Sequence, residues 1–276
     1  MKVAGVITLS VVGSLLVIGG GTMFALGVAN TNKNNPIVTH EHEVGLFNKM
    51  SVDIHTADLE LKASEDLTYK VVCEEKEKIY HTVEVKEGVL TINTIDERAW
   101  YERIFDFSWT KMKVTVYAPG ILYESANIKN ATGNIIIPAE YKFNDLTLYN
   151  ATGNIHVKSD VLNKLEASVS TGNILVESHN KTMDLKSSTG NITLTNVIAE
   201  EIKAKSSTGN IKFTDSDATS LIDVEASTGN IDLSLLTGKT FEAQSSTGKV
   251  RVPESTPSAP VCKAKTSTGN ITITVK

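Results

Sequence analysis

The chain has 276 residues, a net charge of −5 with both signs interspersed, 6% aromatic residues and two cysteines. That length accommodates one or two domains. The charge balance excludes a strongly basic nucleic-acid-binding surface, and the cysteine count excludes a disulfide-dense scaffold. Scarce aromatics also argue against a conventional large aromatic core.

No charged residue occurs between Lys2 and Lys33, and VAGVITLSVVGSLLVIGGGTMFALGVA (3–29) is almost wholly apolar or glycine. About 20 apolar residues suffice to span a bilayer. Residues 1–29 are therefore expected to be an anchor with one transmembrane helix, meeting the membrane through residues 3–29. The competing reading is a cleaved signal peptide, with Gly27-Val28-Ala29 as the small-residue cleavage site. Against it, the apolar run exceeds the roughly 7–15 residues of a signal-peptide core. Lys2 and the amino terminus favour the inside, partly offset by Lys33, and the expectation is a single-pass protein of the cell membrane with its C-terminal domain extracytoplasmic.

Residues 30–44, NTNKNNPIVTHEHEV, are polar and aperiodic, as a spacer is. His40 and His42 would point the same way on a strand, a geometry open to metal ligation. Spacer polarity accounts for them without it, because the other histidines (His55, His81, His156, His179) are scattered and Cys73 and Cys262 lie far apart in sequence. No metal or cofactor is expected.

Residues 45–120 carry the alternation of strands and are expected to form an N-terminal β cap with diverged rungs. HTADLELKAS (55–64) resembles the repeats that follow, with Ala57 where they have glycine, and TVEVKEGVLTINT (82–94) predicts a hairpin through Lys86-Glu87-Gly88. AWYERIFDFSW (99–109) interrupts this pattern with Trp100, Tyr101, Phe105, Phe107 and Trp109, five of the chain's sixteen aromatics. Aromatics with one wet end are enriched at interfaces, so the segment is a candidate contact for a partner or the membrane surface. The favoured expectation is that it folds over the open end of the solenoid as a cap and shields a strand edge. Both roles are compatible.

Residues 121–276 repeat. The corner glycines Gly133, Gly153, Gly172, Gly190, Gly209, Gly229, Gly248 and Gly269 recur every 18–21 residues. Seven are followed by asparagine (Asn134, Asn154, Asn173, Asn191, Asn210, Asn230, Asn270), and the eighth by Lys249. Counted from each glycine, positions −7, −5, +2 and +4 are apolar or small, and the residues between them are mostly polar. That period of two means half-buried strands. A single unit cannot bury its apolar face, whereas stacked units form one continuous core. The expected fold is an all-β, single-stranded β-solenoid of about eight rungs, of either hand. Gly supplies the corner, and Asn stacks on the Asn of the next rung as a ladder of amides. Cys262 falls on an inward position, and a bond to Cys73 would have to span the rod, which disulfide geometry forbids.

Glu166 and Asp184 are neighbours in the outward row, but no base accompanies them, and the mixed signs along that row suit a solvated face. A glycosidase would need its carboxylates converging on one place, so no enzyme activity is expected.

A long apolar N-terminal segment, an alternating lead-in, KVTVYAPG (113–120) and serial STGNI rungs together resemble the bacterial "putative adhesin" β-strand-repeat family, which includes the LiaG-like membrane proteins of envelope-stress operons. The resemblance covers about residues 45–276. It implies a β-solenoid, an extracytoplasmic location and a non-enzymatic role as an interaction or envelope-stress module. An adhesin binding host or cell-wall polymer is the alternative. The partners implied are an envelope protein or a wall polymer, with no nucleic acid.

Overall fold

The structure is a computed structural model that describes residues 23–26, 36–104 and 112–276. The expected anchor at 1–29 lies outside the described residues except for Met23–Leu26. Those four residues form a strand, β1, where the sequence pattern predicts helix. Among the described residues no helix is long and apolar enough to cross a membrane.

The N-terminal part continues with β2 (Val38–Glu43), β3 (Lys49–Ala63), β4 (Lys70–Glu75), β5 (Ile79–Lys86), β6 (Val89–Asp96), the short helix α1 (Trp100–Ile104) and β7 (Met112–Ala118). The stretch expected as a spacer thus contains β2, antiparallel to β4 from Val38↔Glu75 to Glu43↔Lys70. Its alternating VTHEHE suits a strand with one face turned to the core, and the domain begins earlier than its polar composition suggests. The predicted hairpin is β5–β6, with Glu87 and Gly88 both at positive φ.

Each T-G unit folds as a long strand, a corner and a short strand. The pairs are β8 (Leu122–Thr132) with β9 (Ile135–Ile137), β10 (Lys142–Thr152) with β11 (Ile155–Val157), and β12 (Asp160–Thr171) with β13 (Ile174–Val176). Next come β14 (Asn180–Thr189) with β15 (Ile192–Thr195), β16 (Ile198–Thr208) with β17 (Ile211–Thr214), and β18 (Asp217–Thr228) with β19 (Ile231–Leu235). The last two are β20 (Thr240–Thr247) with β21 (Val250–Arg251), and β22 (Val261–Thr268) with β23 (Ile271–Val275). Long strands pair only with long strands and short with short, all parallel, so a two-sheet solenoid results. β3 is a complete rung in one strand, bent at Ala57 and paired with β8 before the bend and with β9 after it.

Rungs do not stack in chain order at either end. β3 lies between the β6/β7 rung and the β8/β9 rung. At the other end β22/β23 lies between β18/β19 and β20/β21. The C-terminal strand is therefore held inside the stack, and β20/β21 forms the edge. This explains why Val250 and Val252, on positions that are inward elsewhere, are each 40% exposed. At the N-terminal end the edges continue into antiparallel strands, β4, β2 and β1 on one sheet and β5 on the other.

The corners show why SSTGNI recurs. At Gly190 φ is +143°, and an added Cβ would lie 1.9 Å from the Gly172 carbonyl oxygen of the preceding rung. Only glycine satisfies both the dihedral and the close approach. Asn builds a ladder, but mainly through the backbone: Asn154 N–H donates to Asn134 Oδ1, and the same bond runs rung to rung through Asn173, Asn191, Asn210, Asn230 and Asn270 to Lys249 N–H. The expected amide-to-amide bonds appear beside it at Asn154–Asn134 and Asn173–Asn154. The ladder starts at Asp58, a pure acceptor, and ends at Lys249, beyond which no rung needs an acceptor. The first Ser of the motif braces the corner as well. Ser206 Oγ donates to the Gly190 carbonyl at 3.1 Å, and Ser187, Ser245 and Thr266 make the equivalent bond.

Toward the N-terminal end the core is aromatic after all. Phe47, Tyr69, Tyr123, Tyr141 and Phe143 pack against one another with ring centroids 5.1–6.2 Å apart, Phe47 edge-to-face on Tyr69 and Tyr141 stacked on Phe143. The buried hydroxyls are satisfied, Tyr123 by the Pro119 carbonyl and Tyr141 by the Lys62 carbonyl, as buried tyrosines require.

Candidate functional site

The chemistry-bearing residues gather in the N-terminal cap. α1 occupies the bend between β6 and β7, where other rungs have T-G-N. It is short and held by Glu102, which accepts from Ala99 N–H at 2.8 Å and pairs with Lys78 at 2.6 Å. This turn presents Trp100 and Tyr101, 73% and 54% exposed, with their rings edge-to-face at 6.0 Å. The other three aromatics predicted as contacts, Phe105, Phe107 and Trp109, lie outside the described residues.

A second group forms inside the cap, where the sequence pattern predicts no metal-binding cluster. On β2, His40 and His42 share the face of β4 that carries Cys73 and Glu75, with His40 directly opposite Cys73. His81 comes from β5 and adds its ring to the same carboxylate. Glu75 accepts His40 Nδ1–H at 2.5 Å on one oxygen, and His81 N–H at 2.7 Å and His81 Nδ1–H at 3.2 Å on the other. Cys73 is fully buried, Glu75 is 2% exposed and His81 is 4% exposed. A ring nitrogen of His42, Cys73 Sγ and a Glu75 oxygen all lie within 4.8 Å of one another. His42 Nε2 and His81 Nε2 are buried without a hydrogen-bond partner.

Electrostatics favour the ligating forms of His42 and Glu75 and oppose that of Cys73, whose thiol a bound cation would have to deprotonate. Burial lowers the His42 pKa, against the pull of the Glu75 charge, and so favours the neutral ring. Burial works against the Glu75 carboxylate, but the hydrogen bonds from His81 and His40 outweigh it and hold the pKa below its usual value. Burial, aided by the Glu75 charge, raises the Cys73 thiol well above the ordinary range. Cys73 and Cys262 are both free.

Two signals for this cluster stood in the sequence, His-x-His in THEHE and Cys-x-Glu in VCEE, each placing its pair on one face of a strand. What no spacing revealed is that β2 and β4 are partners and that His81 completes the set. By contrast, Glu166 and Asp184 are adjacent across β12 and β14 as expected, and each is engaged by a lysine, Lys164 and Lys186 respectively.

Parallel two-sheet stacking with an antiparallel cap at one end defines the class: a capped β-solenoid. The chain belongs to the Toastrack DUF4097 family, which it matches over residues 47–276. It is similar to a solved structure from Bacteroides fragilis NCTC 9343 described as a putative adhesin, with a TM-score of 0.54 and 19% identity over 90% of this chain and 100% of that one. A putative adhesin from Parabacteroides merdae ATCC 43184 matches at TM-score 0.44 and 16% identity over 89% of this chain and 97% of that one. A putative lipid binding protein from Parabacteroides distasonis ATCC 8503 matches at TM-score 0.43 and 17% identity, over 88% and 98%. At 19% identity the likeness to the Bacteroides fragilis structure is one of fold. No curated protein matches the chain.

Proposed function

We propose that the chain is a membrane-anchored, extracytoplasmic and non-enzymatic interaction module of the cell envelope, with the α1 turn as its contact. The observation that carries this reading is the exposed Trp100–Tyr101 pair on a turn pinned by Glu102. Large aromatics presented to solvent suit recognition, being the residue types that dominate binding hot spots. The uncharged run at 3–29 supports attachment at the same end of the molecule. The lysine pairing of Glu166 and Asp184 supports a structural face, since neither carboxylate is set against a catalytic partner.

Protease treatment of intact protoplasts carrying a C-terminally tagged chain tests the location. Loss of the tag from a full-length membrane protein is expected, and a protected tag overturns the external placement. Replacing Trp100 and Tyr101 with Ala is expected to abolish cross-linking to envelope components at this turn while leaving the β-sheet circular dichroism intact. Unchanged cross-linking removes α1 as the contact.

A second reading, an adhesin for wall or host polymer, has one specific observation behind it. Tyr149 is 44% exposed on an outward position of β10. Its test is the binding of a Tyr149→Ala chain to insoluble cell-wall polymer, which that reading requires to fall.

A further inference from the structure

We propose that His42, Cys73 and Glu75 form a structural binding site for a zinc-class divalent cation that clasps β2 to β4. Imidazole nitrogen, thiolate sulfur and carboxylate oxygen are the donor types of tetrahedral zinc sites. The three donors come from adjacent strands in a fixed antiparallel register, so the backbone already holds them on one face. Ligand distances of about 2.0–2.3 Å around such an ion require the donors to close in from their 4.8 Å envelope. Side-chain rotation on a rigid strand pair supplies a movement of that size.

Three further observations converge on a ligand. First, His42 Nε2 is buried with no hydrogen-bond partner, a state that costs free energy unless something binds there. Second, His81, whose side chain is fully buried, closes the cluster from the β5 side with its Nδ1–H spent on Glu75. Third, His40 and His81 fix the Glu75 carboxylate from both sides, the arrangement by which outer groups orient a ligating carboxylate. His40 is part-exposed, with 26% of its side chain in solvent. The fourth coordination position falls to water. On binding, Cys73 exchanges its S–H bond for a sulfur–metal bond and the proton passes to solvent. No redox change is involved.

The consequence is mechanical. β2 connects the N-terminal segment to the domain and pairs β1 on its other side. A cation bridging β2 to β4 would hold that segment against the cap.

The test uses the full-length chain, stripped with chelator and titrated with Co²⁺ as a spectroscopic stand-in and then Zn²⁺. One cobalt per chain with a thiolate-to-cobalt charge-transfer band is expected, displaced by zinc. Cys73→Ser should abolish that band and His42→Gln should weaken binding, while His179→Gln, remote in the solenoid, should change nothing. Zinc at a hundred times its dissociation constant should slow hydrogen exchange of Val38–Glu43 about 100-fold. If Cys73→Ser does not fold, the wild-type cobalt spectrum and His42→Gln still decide. A folded wild-type chain that binds no cobalt, or binds it without a thiolate band and indifferently to His42→Gln, overturns the site. Neither result bears on the location of the domain or on the Trp100 contact, which are tested separately.

Discussion

Asp217→Ala is expected to release the outermost rung at the C-terminal end. Asp217 starts β18 and reaches across to the segment 236–239 that carries the chain from β19 to the displaced β20. Its carboxylate accepts from Ala218 N–H at 2.7 Å, Leu236 N–H at 3.2 Å, and Thr237 N–H and Oγ1 at 2.7 Å each. It also pairs with Lys239 Nζ at 2.6 Å, the two side chains being 7% and 2% exposed respectively. Removing one partner of such a pair strands the other charge in the interior, at a cost of about 3–5 kcal/mol. In a repeat protein each rung depends on its neighbours, so the loss should concentrate on β20 and β21. Hydrogen exchange resolved by peptide is the assay. Amides of 240–251 should open faster by roughly two to three and a half orders of magnitude, with β10 and β12 unchanged. Lys239→Met should cost less, because Asp217 keeps its other donors, and the double variant should recover part of the loss of Asp217→Ala. The reasoning is refuted if Asp217→Ala opens β20 no more than the surface change Glu225→Ala, or if opening spreads evenly through the stack.

Two further outcomes follow from the corners. Gly190→Ala combines a clash with the Gly172 carbonyl and a φ of +143°; it should destabilise by more than about 3 kcal/mol, read as a lower denaturant midpoint. Asn191→Lys removes the acceptor of the Asn210 N–H and should cost about 1–3 kcal/mol, whereas Lys249→Asn, at the end of the ladder, should be close to neutral. Equal costs for the two would show that ladder direction does not matter.

Much of the solenoid was legible because every rung makes the same demand. Gly190 must be glycine in any stack of this kind, and Ile192 and Leu194 must alternate with polar neighbours wherever the rung sits. Even the Ala57 rung could be read before its partners were known. The end rungs could not. A sequential stack and the observed order, with β22 between β18 and β20, bury the same slots, so alternation cannot tell them apart. Lys249 in place of Asn and the long connection at 252–260 were the traces of that exchange, and each acquires meaning only once β20 is known to be the edge. Gly238 leaves room for Thr256, whose Oγ1 would lie 2.2 Å from an added Cβ.

The same division holds for the candidate sites. By itself the sequence determined the repeat, its core-facing positions and the corner chemistry, because these depend on residues a few places apart. It also marked the aromatic stretch as foreign to the repeat. Only the tertiary structure decided that the polar run at 38–43 is a strand, that THEHE faces VCEE, and that His81 arrives from another sheet. Those facts depend on antiparallel pairing between segments some 30 residues apart. Such pairing is selected by the whole cap and its buried neighbours, and not by any local pattern.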